Sequence, residues 1–172
     1  IVTEYESKSK TLTSTGVFSV DASLNYLLAK AKEKEVLFDL SVTDGIKGCL
    51  DKCISENDLN TLILDLGENA IIAASFSEKK NVFVMIGSDN NNRCLFVYDS
   101  GNYFDADVIA NLGKKRITTH KESGGSGIGM MTTVSLLQKY SASLKIDETV
   151  PNNSYTKCVS VIFDNEGKII IK

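Results

Sequence analysis

Asp65-Leu66-Gly67-Glu68-Asn69-Ala70 lies inside the apolar-periodic segment 58–76, DLNTLILDLGENAIIAASF, whose reading decides the fold. Leu59, Leu62, Ile63, Leu66, Ala70 and Ala73 recur at spacings of three and four, the signature of one buried helical stripe. Asp65 and Asn69 are four apart, with Glu68 beside them, so they project together from the opposite side of the same helix. Ser55 is placed to cap it, and Asp58 follows three residues later, where a carboxylate suits the N-terminal dipole. A polar cluster in mid-helix is ordinarily solvated surface, and the rest of the chain determines whether this one is more.

Downstream, NVFVMIG (81–87) and RCLFVY (93–98) read as strands joined through Asp89-Asn90-Asn91-Asn92, residues that tolerate turn and left-handed backbone. The second strand stops at Asp99-Ser100-Gly101, a D-x-G turn, and a short helix is predicted over 105–112. Residues 113–126 carry Lys, Arg, Thr and Gly with little apolar content, and a loop of that length suggests a lid. It ends in Gly124-Gly125-Ser126-Gly127-Ile128-Gly129, which opens a helix predicted over 128–140. Glycines there let backbone N–H groups approach phosphate oxygens, and the helix N-terminus adds positive potential. No G-K-[ST] follows, which excludes a Walker loop, and the run does not follow the first strand of a βαβ unit, which excludes a Rossmann fingerprint.

Upstream, residues 1–13 are polar and read as a frayed start or the end of a preceding helix. GVFSV (16–20) is short and β-prone, Asp21 is placed as an N-cap, and Leu24, Leu27, Leu28 and Ala31 mark an amphipathic helix over 22–34. VLFDLSV (36–42) reads as a strand, and 43–55 is less regular. Strands are also predicted over 143–147, 157–163 and 168–171, the last after the turn Asp164-Asn165-Glu166-Gly167. The result is one α/β domain over 16–172, with helices on one face of a mixed, largely antiparallel sheet, preceded by a polar tail over 1–15.

The 172 residues suffice for one domain with a real core, and 42% apolar and 24% charged content are ordinary globular values. A net charge of −3 with no extended basic segment argues against a nucleic-acid partner. No apolar run approaches the ~18 residues that span a bilayer, and no membrane contact is expected of this segment. The chain starts at Ile1 rather than Met and reads as an excised fragment. Cys49, Cys53, Cys94 and Cys158 lack metal spacing and read as reduced, partly buried thiols.

Helix cluster, D-x-G turn, lid and glycine loop occur in that order, at nearly equal separations from Asn69 to Asp99 to Gly127. The set resembles the GHKL ATPase superfamily of gyrase, heat-shock chaperone, histidine kinase and MutL. DLGENA looks like its N-box, DSG like its G1 box and GGSGIG like its G2 box. VDASLNYLLAKAKEKEVLFDLSV and ITTHKESGGSGIGMMTTVSLLQKYSASL are similar to segments of sensor histidine kinases, the former to Agr-type peptide sensors in particular.

The resemblance implies a Bergerat-type two-layer α/β sandwich that takes ATP and Mg2+. It implies Asn69 as the metal-holding asparagine, Asp99 as the residue that reads the adenine amino group, and Gly101 as its companion. It also implies Gly125, Gly127 and Gly129 facing phosphate, and Thr156 near the base. Asp65 or Glu68 would be the catalytic carboxylate; both remain open. Lys121, with Lys114, Lys115 and Arg116, is placed to screen phosphate charge or to be solvated surface, and His120 has a lid role rather than that of phosphoacceptor.

Two departures stand out. Asp65 occupies a position where many histidine kinases have Asn and where gyrase-like and anti-sigma members carry a carboxylate. Tyr103 replaces a second glycine of the G1 box. The implied function is the ATP-binding catalytic domain of a sensor histidine kinase, a cytoplasmic part of a membrane-bound sensor. Its partners would be its own dimerisation and histidine-phosphotransfer domain and a response regulator. The alternatives are an anti-sigma-type protein serine kinase and a nucleotide-dead docking or dimerisation module.

Overall fold

The computed structural model describes residues 14–43, 46–89, 91–112, 128–150 and 154–172. Its longest element is the helix built on the DLGENA stretch, and the other elements are arranged around it. In chain order they are α1 (Phe18–Glu33), β1 (Leu37–Val42), α2 (Ile46–Leu50), α3 (Glu56–Ser75), β2 (Asn81–Asp89), β3 (Asn92–Asp99), α4 (Ala106–Ala110), α5 (Ile128–Lys139), β4 (Ser143–Asp147), β5 (Lys157–Phe163) and β6 (Ile169–Ile171).

The strands form one six-stranded sheet in the order β1-β2-β3-β5-β4-β6. β1·β2 and β4·β6 are parallel, while β2·β3, β3·β5 and β4·β5 are antiparallel, so the sheet is mixed and mainly antiparallel as expected. The β2–β3 hairpin closes with Asp89 opposite Asn92, and Asn91 takes the left-handed backbone (φ 70°) that such a tight loop requires. Alternation along each strand then separates two faces. Val82, Val84, Ile86, Leu95, Val97, Val159 and Val161 join the buried residues of α1, α3 and α5 in one core. Phe83 and Met85 point the other way and pack with Tyr155, Phe96 and Tyr98; the Phe83 and Tyr98 rings stack at 5.8 Å.

α3 sits in the middle of the helical layer because its sequence is apolar over a wide arc. Leu59, Leu62, Ile63, Leu66, Ala70, Ile71 and Ala74 are all buried. Near its end the stripe rotates from the expected Ala73 to Ile71 and Ala74, and this frees Ala73 for another contact, described below. Gly67 of the motif has a packing reason: a Cβ there would lie 2.4 Å from Leu27 Cδ1, so α1 and α3 approach closely at that point. Ser55 caps α3 as expected, its Oγ accepting from Asp58 N at 3.3 Å.

The start of α1 differs from the sequence reading. GVFSV is not extended; the helix begins at Phe18, with Val17 as its N-cap residue. Gly16 turns the chain at φ 77°, and Asp21, in the first turn, reaches back to accept from Thr15 N (2.7 Å) and Ser14 Oγ (2.8 Å). Burial of Val20 in the core outweighs the β-propensity of the run. Both α1 and α5 end in Schellman turns, with Val36 N on Ala31 O and Ala142 N on Leu137 O, each at 2.9 Å. The residues in between, Glu35 and Ser141, adopt positive φ without being glycine. Among the described residues no helix is long and apolar enough to cross a membrane, and the four cysteines are unpaired.

Candidate functional site

The outward stripe of α3 runs Asp65, Asn69, Ala73 at intervals of four, and its upper end meets the D-x-G turn. A Cβ on Gly101 would fall 2.6 Å from Ala73 Cβ and 2.8 Å and 2.9 Å from the Ala73 carbonyl carbon and oxygen. Gly101 is thus glycine because the turn lies flat on the helix. That contact places Asn69 about one helical turn, roughly 6 Å at 1.5 Å per residue, along the stripe from the turn.

The turn itself is held from three directions. Ser100 Oγ accepts from Asn81 N (2.9 Å) and pairs with Ser77 Oγ (2.7 Å), tying it to the start of β2 and the segment after α3. Thr156 N donates to Asp99 O at 2.9 Å, and Thr156 Oγ1 hydrogen-bonds the carbonyls of Asp99 (3.1 Å) and Gly101. Thr156 therefore supports the turn through backbone groups. Asp99 Oδ1 accepts from Gly101 N at 2.8 Å, and Asp99 is 2% exposed.

Lys157, which the sequence reading did not single out, is the cross-strand partner of Asp99 in the β3·β5 ladder. Its ammonium lies 2.6 Å from Asp99 Oδ1 and 2.6 Å from Asn102 O, and 5.3 Å from the centroid of the Phe104 ring. Both side chains of the pair are 3% exposed. Burial at that depth requires such pairing, because a lone charge there would be heavily penalised. The signal available in sequence was weak: a lysine at an otherwise apolar strand's inward-facing position, next to Thr156.

Lower on the stripe the two candidate carboxylates part company. Glu68 is paired with Lys30 of α1 at 2.8 Å. That pairing more than offsets the effect of burial on Lys30, whose pKa stands above its ordinary value. Among the described residues no cation is paired with Asp65. Burial, with a smaller contribution from the Glu68 charge, pushes its carboxyl up to about 6, and its Oδ2 is a buried oxygen without a hydrogen bond.

α5 brings the third part. Its C-terminal end is fastened to the N-terminal end of α3 by Lys139 Nζ (2.6 Å) and Tyr140 Oη (2.5 Å) on Asp58 Oδ2. The two hydrogen bonds with the pair hold the Asp58 carboxyl down at about 2. From this anchor the helices run antiparallel. Tyr140 back to Gly129 covers as many residues as Asp58 to Asn69, about 16 Å at 1.5 Å per residue, so the first turn of α5 reaches the level of Asn69. The same count sets Thr133 at the level of Asp65. Thr133 is fully buried, and its Oγ1 also lacks a hydrogen bond. Of the glycine loop, Gly129 lies in this first turn; Gly124, Gly125 and Gly127 lie outside the described residues, as do Lys114, Lys115, Arg116, His120 and Lys121. Tyr103 is 62% exposed and does not block the turn.

No family model and no curated protein sequence matches the chain. Solved structures do. The chain covers 84% of its length on 90% of a "Mycobacterial sensor histidine kinase MprB" structure, with TM-score 0.62 and 16% identity. It likewise matches the catalytic domain of histidine kinase ThkA in a nucleotide-free form, with TM-score 0.61, 10% identity and coverage of 84% and 90%. The chain shares the fold of these two histidine kinase structures. A third match is full-length ShkA in complex with AMPPNP, TM-score 0.60 at 13% identity, where 90% of this chain corresponds to 30% of that one. Identities this low speak to the fold, and the chemistry has to come from the residues themselves.

Proposed function

We propose that residues 16–172 form a domain that binds Mg2+·ATP between the α3 stripe, the D-x-G turn and the 113–127 segment. It would act as the catalytic half of a two-component sensor histidine kinase and pass the γ-phosphate to a histidine outside this chain. The observation that carries the reading is the placement of Asp99: a buried carboxylate at the end of β3, on a turn pressed against α3 one helical turn from Asn69. An acceptor at the floor and an amide beside it suit an exocyclic amino group and a hydrated metal. The buried, unbonded oxygens of Asp65 and Thr133 are further polar groups in want of a partner, in keeping with a hydrated ligand near α3 and α5.

In this reading Asn69 holds Mg2+, and Gly125, Gly127, Gly129 and Lys121 receive the phosphates. Mg2+ wants oxygen ligands and keeps several waters, so one amide plus phosphate oxygens suffices; when bound it neutralises charge developing on the phosphoryl group. Asp99 accepts from the base, Thr156 holds the turn in place, and Gly101 allows the turn to lie against the helix. Asp65 is the better candidate than Glu68 to take a proton, because Glu68 is committed to Lys30 and the Asp65 carboxyl, raised to about 6, is closer to a base poised near neutral pH. That same feature favours one second reading, a serine kinase of the anti-sigma type, in which a hydroxyl acceptor must be deprotonated. The natural partners in the first reading are a dimerisation and histidine-phosphotransfer domain and a response regulator, within a cytoplasmic portion of a membrane-bound sensor.

Calorimetric titration with a non-hydrolysable ATP analogue, with and without Mg2+, tests the reading. Binding that depends on Mg2+ and collapses in Asn69→Ala and Asp99→Asn is expected. A folded wild-type domain that binds no nucleotide would instead indicate a docking module.

A further inference from the structure

Among the described residues, Oδ2 of Asp65 on α3 and Oγ1 of Thr133 on α5 are buried side-chain oxygens without a hydrogen bond. Thr133 is fully buried, and its buried neighbours on α5, Val134 and Leu137, are apolar. A hydroxyl in such a place costs stability unless it has a partner, and a valine would fill the same space without that cost. Helical threonines commonly give the hydroxyl to a carbonyl three or four residues back. Thr133 does not, which leaves its hydroxyl for the interface between the helices. What lies across that interface follows from the clasp at the other end of α5. Tyr140 Oη is 2.5 Å from Asp58 Oδ2, so these two residues face each other across the antiparallel pair. Thr133 precedes Tyr140 by seven residues, and Asp65 follows Asp58 by seven. Seven residues make two turns less about 20°, or about 10.5 Å of helix. Each therefore stands on the same helix face as its member of the clasp, displaced by the same length in the same direction, and α3 and α5 are packed against each other.

We infer that Thr133 is the positioning residue of Asp65, its hydroxyl supplying the hydrogen bond that the buried carboxyl oxygen otherwise lacks. This role rests on the reading of Asp65 as the group that takes a proton, and it adds the side chain that orients it. One side-chain rotation or one bridging water joins the two atoms. A threonine suits the task better than a cation. Glu68, paired with the Lys30 ammonium, is held as a carboxylate by its partner's charge. A hydroxyl donates to a carboxylate and accepts from a protonated acid, so it fixes the orientation of the carboxyl in both states and commits it to neither. The register of α5, set by Tyr140 and Lys139 on Asp58, then decides which residue of α5 meets Asp65.

A double-mutant cycle in chemical denaturation, run without nucleotide at about pH 8, tests the pairing. Thr133→Val keeps the volume and deletes the hydroxyl. It is expected to lower the folding equilibrium constant about ten-fold in the wild-type background, the loss of one hydrogen bond to a charged group. In Asp65→Ala, where the hydroxyl has no carboxylate to meet, the same change is expected to cost nothing. Thr133→Ser keeps the hydroxyl and is expected to cost the same in both backgrounds, since only a methyl group is lost. An equal effect of Thr133→Val in both backgrounds would overturn the inference and leave the nucleotide site standing. So would a Thr133→Ser effect that depends on Asp65, because packing rather than the hydroxyl would then be coupled. Three-bond NMR couplings about χ1 of Asp65 read the orientation itself. One rotamer is expected in the wild type and in Thr133→Ser, and rotamer averaging in Thr133→Val; a single rotamer in Thr133→Val would also overturn the role. A coupled pair in a protein that fails the calorimetric titration above would remove the role of Thr133 along with the nucleotide reading, since the carboxyl it orients would have no reaction to serve.

Discussion

Two carboxylates, the buried Asp99 at the end of β3 and the half-buried Asp65 in the middle of α3, are treated in opposite ways. Asp99 is held in place: a backbone N–H and a lysine ammonium lie on one of its oxygens, and its own carbonyl is tied to Thr156. Asp65 is left with a bare oxygen and a carboxyl raised to about 6. The first arrangement fixes a carboxylate in one orientation, as recognition needs. The second leaves a group that exchanges a proton near neutrality, as proton transfer needs. The contrast arises from position. A strand end sits in a ladder, where the opposite residue supplies a partner by register, whereas mid-helix residues meet only what the neighbouring helices present.

The largest effect is expected where the buried ion pair is broken. Asp99→Ala strands the Lys157 ammonium in the interior and should cost about 3–5 kcal/mol in chemical denaturation, besides abolishing nucleotide binding. The double variant Asp99→Leu/Lys157→Met removes both charges and should recover most of that stability while remaining unable to bind. If the double variant is as unstable as the single one, the ion pair is not what makes the turn costly to alter.

Next comes the seat of the turn. Gly101→Ala pushes a methyl group into the Ala73 backbone, which cannot rotate away, and should cost about 1–3 kcal/mol with weakened nucleotide affinity. Gly67→Ala makes a nominally closer contact at 2.4 Å, but against the end of the Leu27 side chain, which has rotamers to spare. Its loss should be the smaller of the two. Thermal unfolding of the pair of variants decides between backbone and side-chain obstruction.

Most of this framework was legible in the sequence, and the exceptions have physical causes. Period-3.6 and period-2 patterns placed α3, the hairpin and the edges of β4 and β5 because one-sided burial imposes those periods directly. GVFSV misled because a short β-prone run carries little weight against Val20 being drawn into the helical core. Ala73 was read as core and instead seats Gly101, since the pattern shows that a small residue is needed but not what it meets. Asp65, Asn69 and Asp99 were visible as a spaced set. Lys157 was not, because its meaning depends on which residue of β3 lies opposite, and register across non-adjacent strands is a property of the folded sheet. The separation of Asp65 from Glu68 was hidden for the same reason: Lys30 comes from another helix.

Asp65→Asn probes the second carboxylate. The folded carboxyl is raised above its unfolded value of 3.8, so the folded state binds more protons between about pH 4 and 6, and stability falls as pH rises through that window. The amide cannot ionise and escapes this loss. The variant should therefore match the wild type near pH 4 and exceed it by about 1–2 kcal/mol above pH 7, the shift of roughly two pH units being discounted because Asp65 is only half-buried. A wild-type advantage at pH 7 would mean that the ionised Asp65 is stabilised by a group close to it.

Lys30→Gln is the smallest perturbation in stability and separates the two regions most cleanly. The Lys30–Glu68 pair is partly exposed, with side chains 21% and 33% accessible, so its removal should cost no more than about 1 kcal/mol. Its effect on titration should be plainer. Glu68 already contributes to raising Asp65, and without the lysine its charge is no longer offset. The Asp65 carboxyl, followed by carbon-detected NMR, should then titrate above its wild-type midpoint near 6. Asp99, held by Lys157 from a different strand, should show no change in the same spectra. If instead both carboxyls shift, the two regions share one electrostatic environment, and the division of labour between a fixed acceptor and a proton-exchanging group would not hold. If Asp65 stays where it is, desolvation alone accounts for its raised value and Glu68 has no say in the proton affinity of the site.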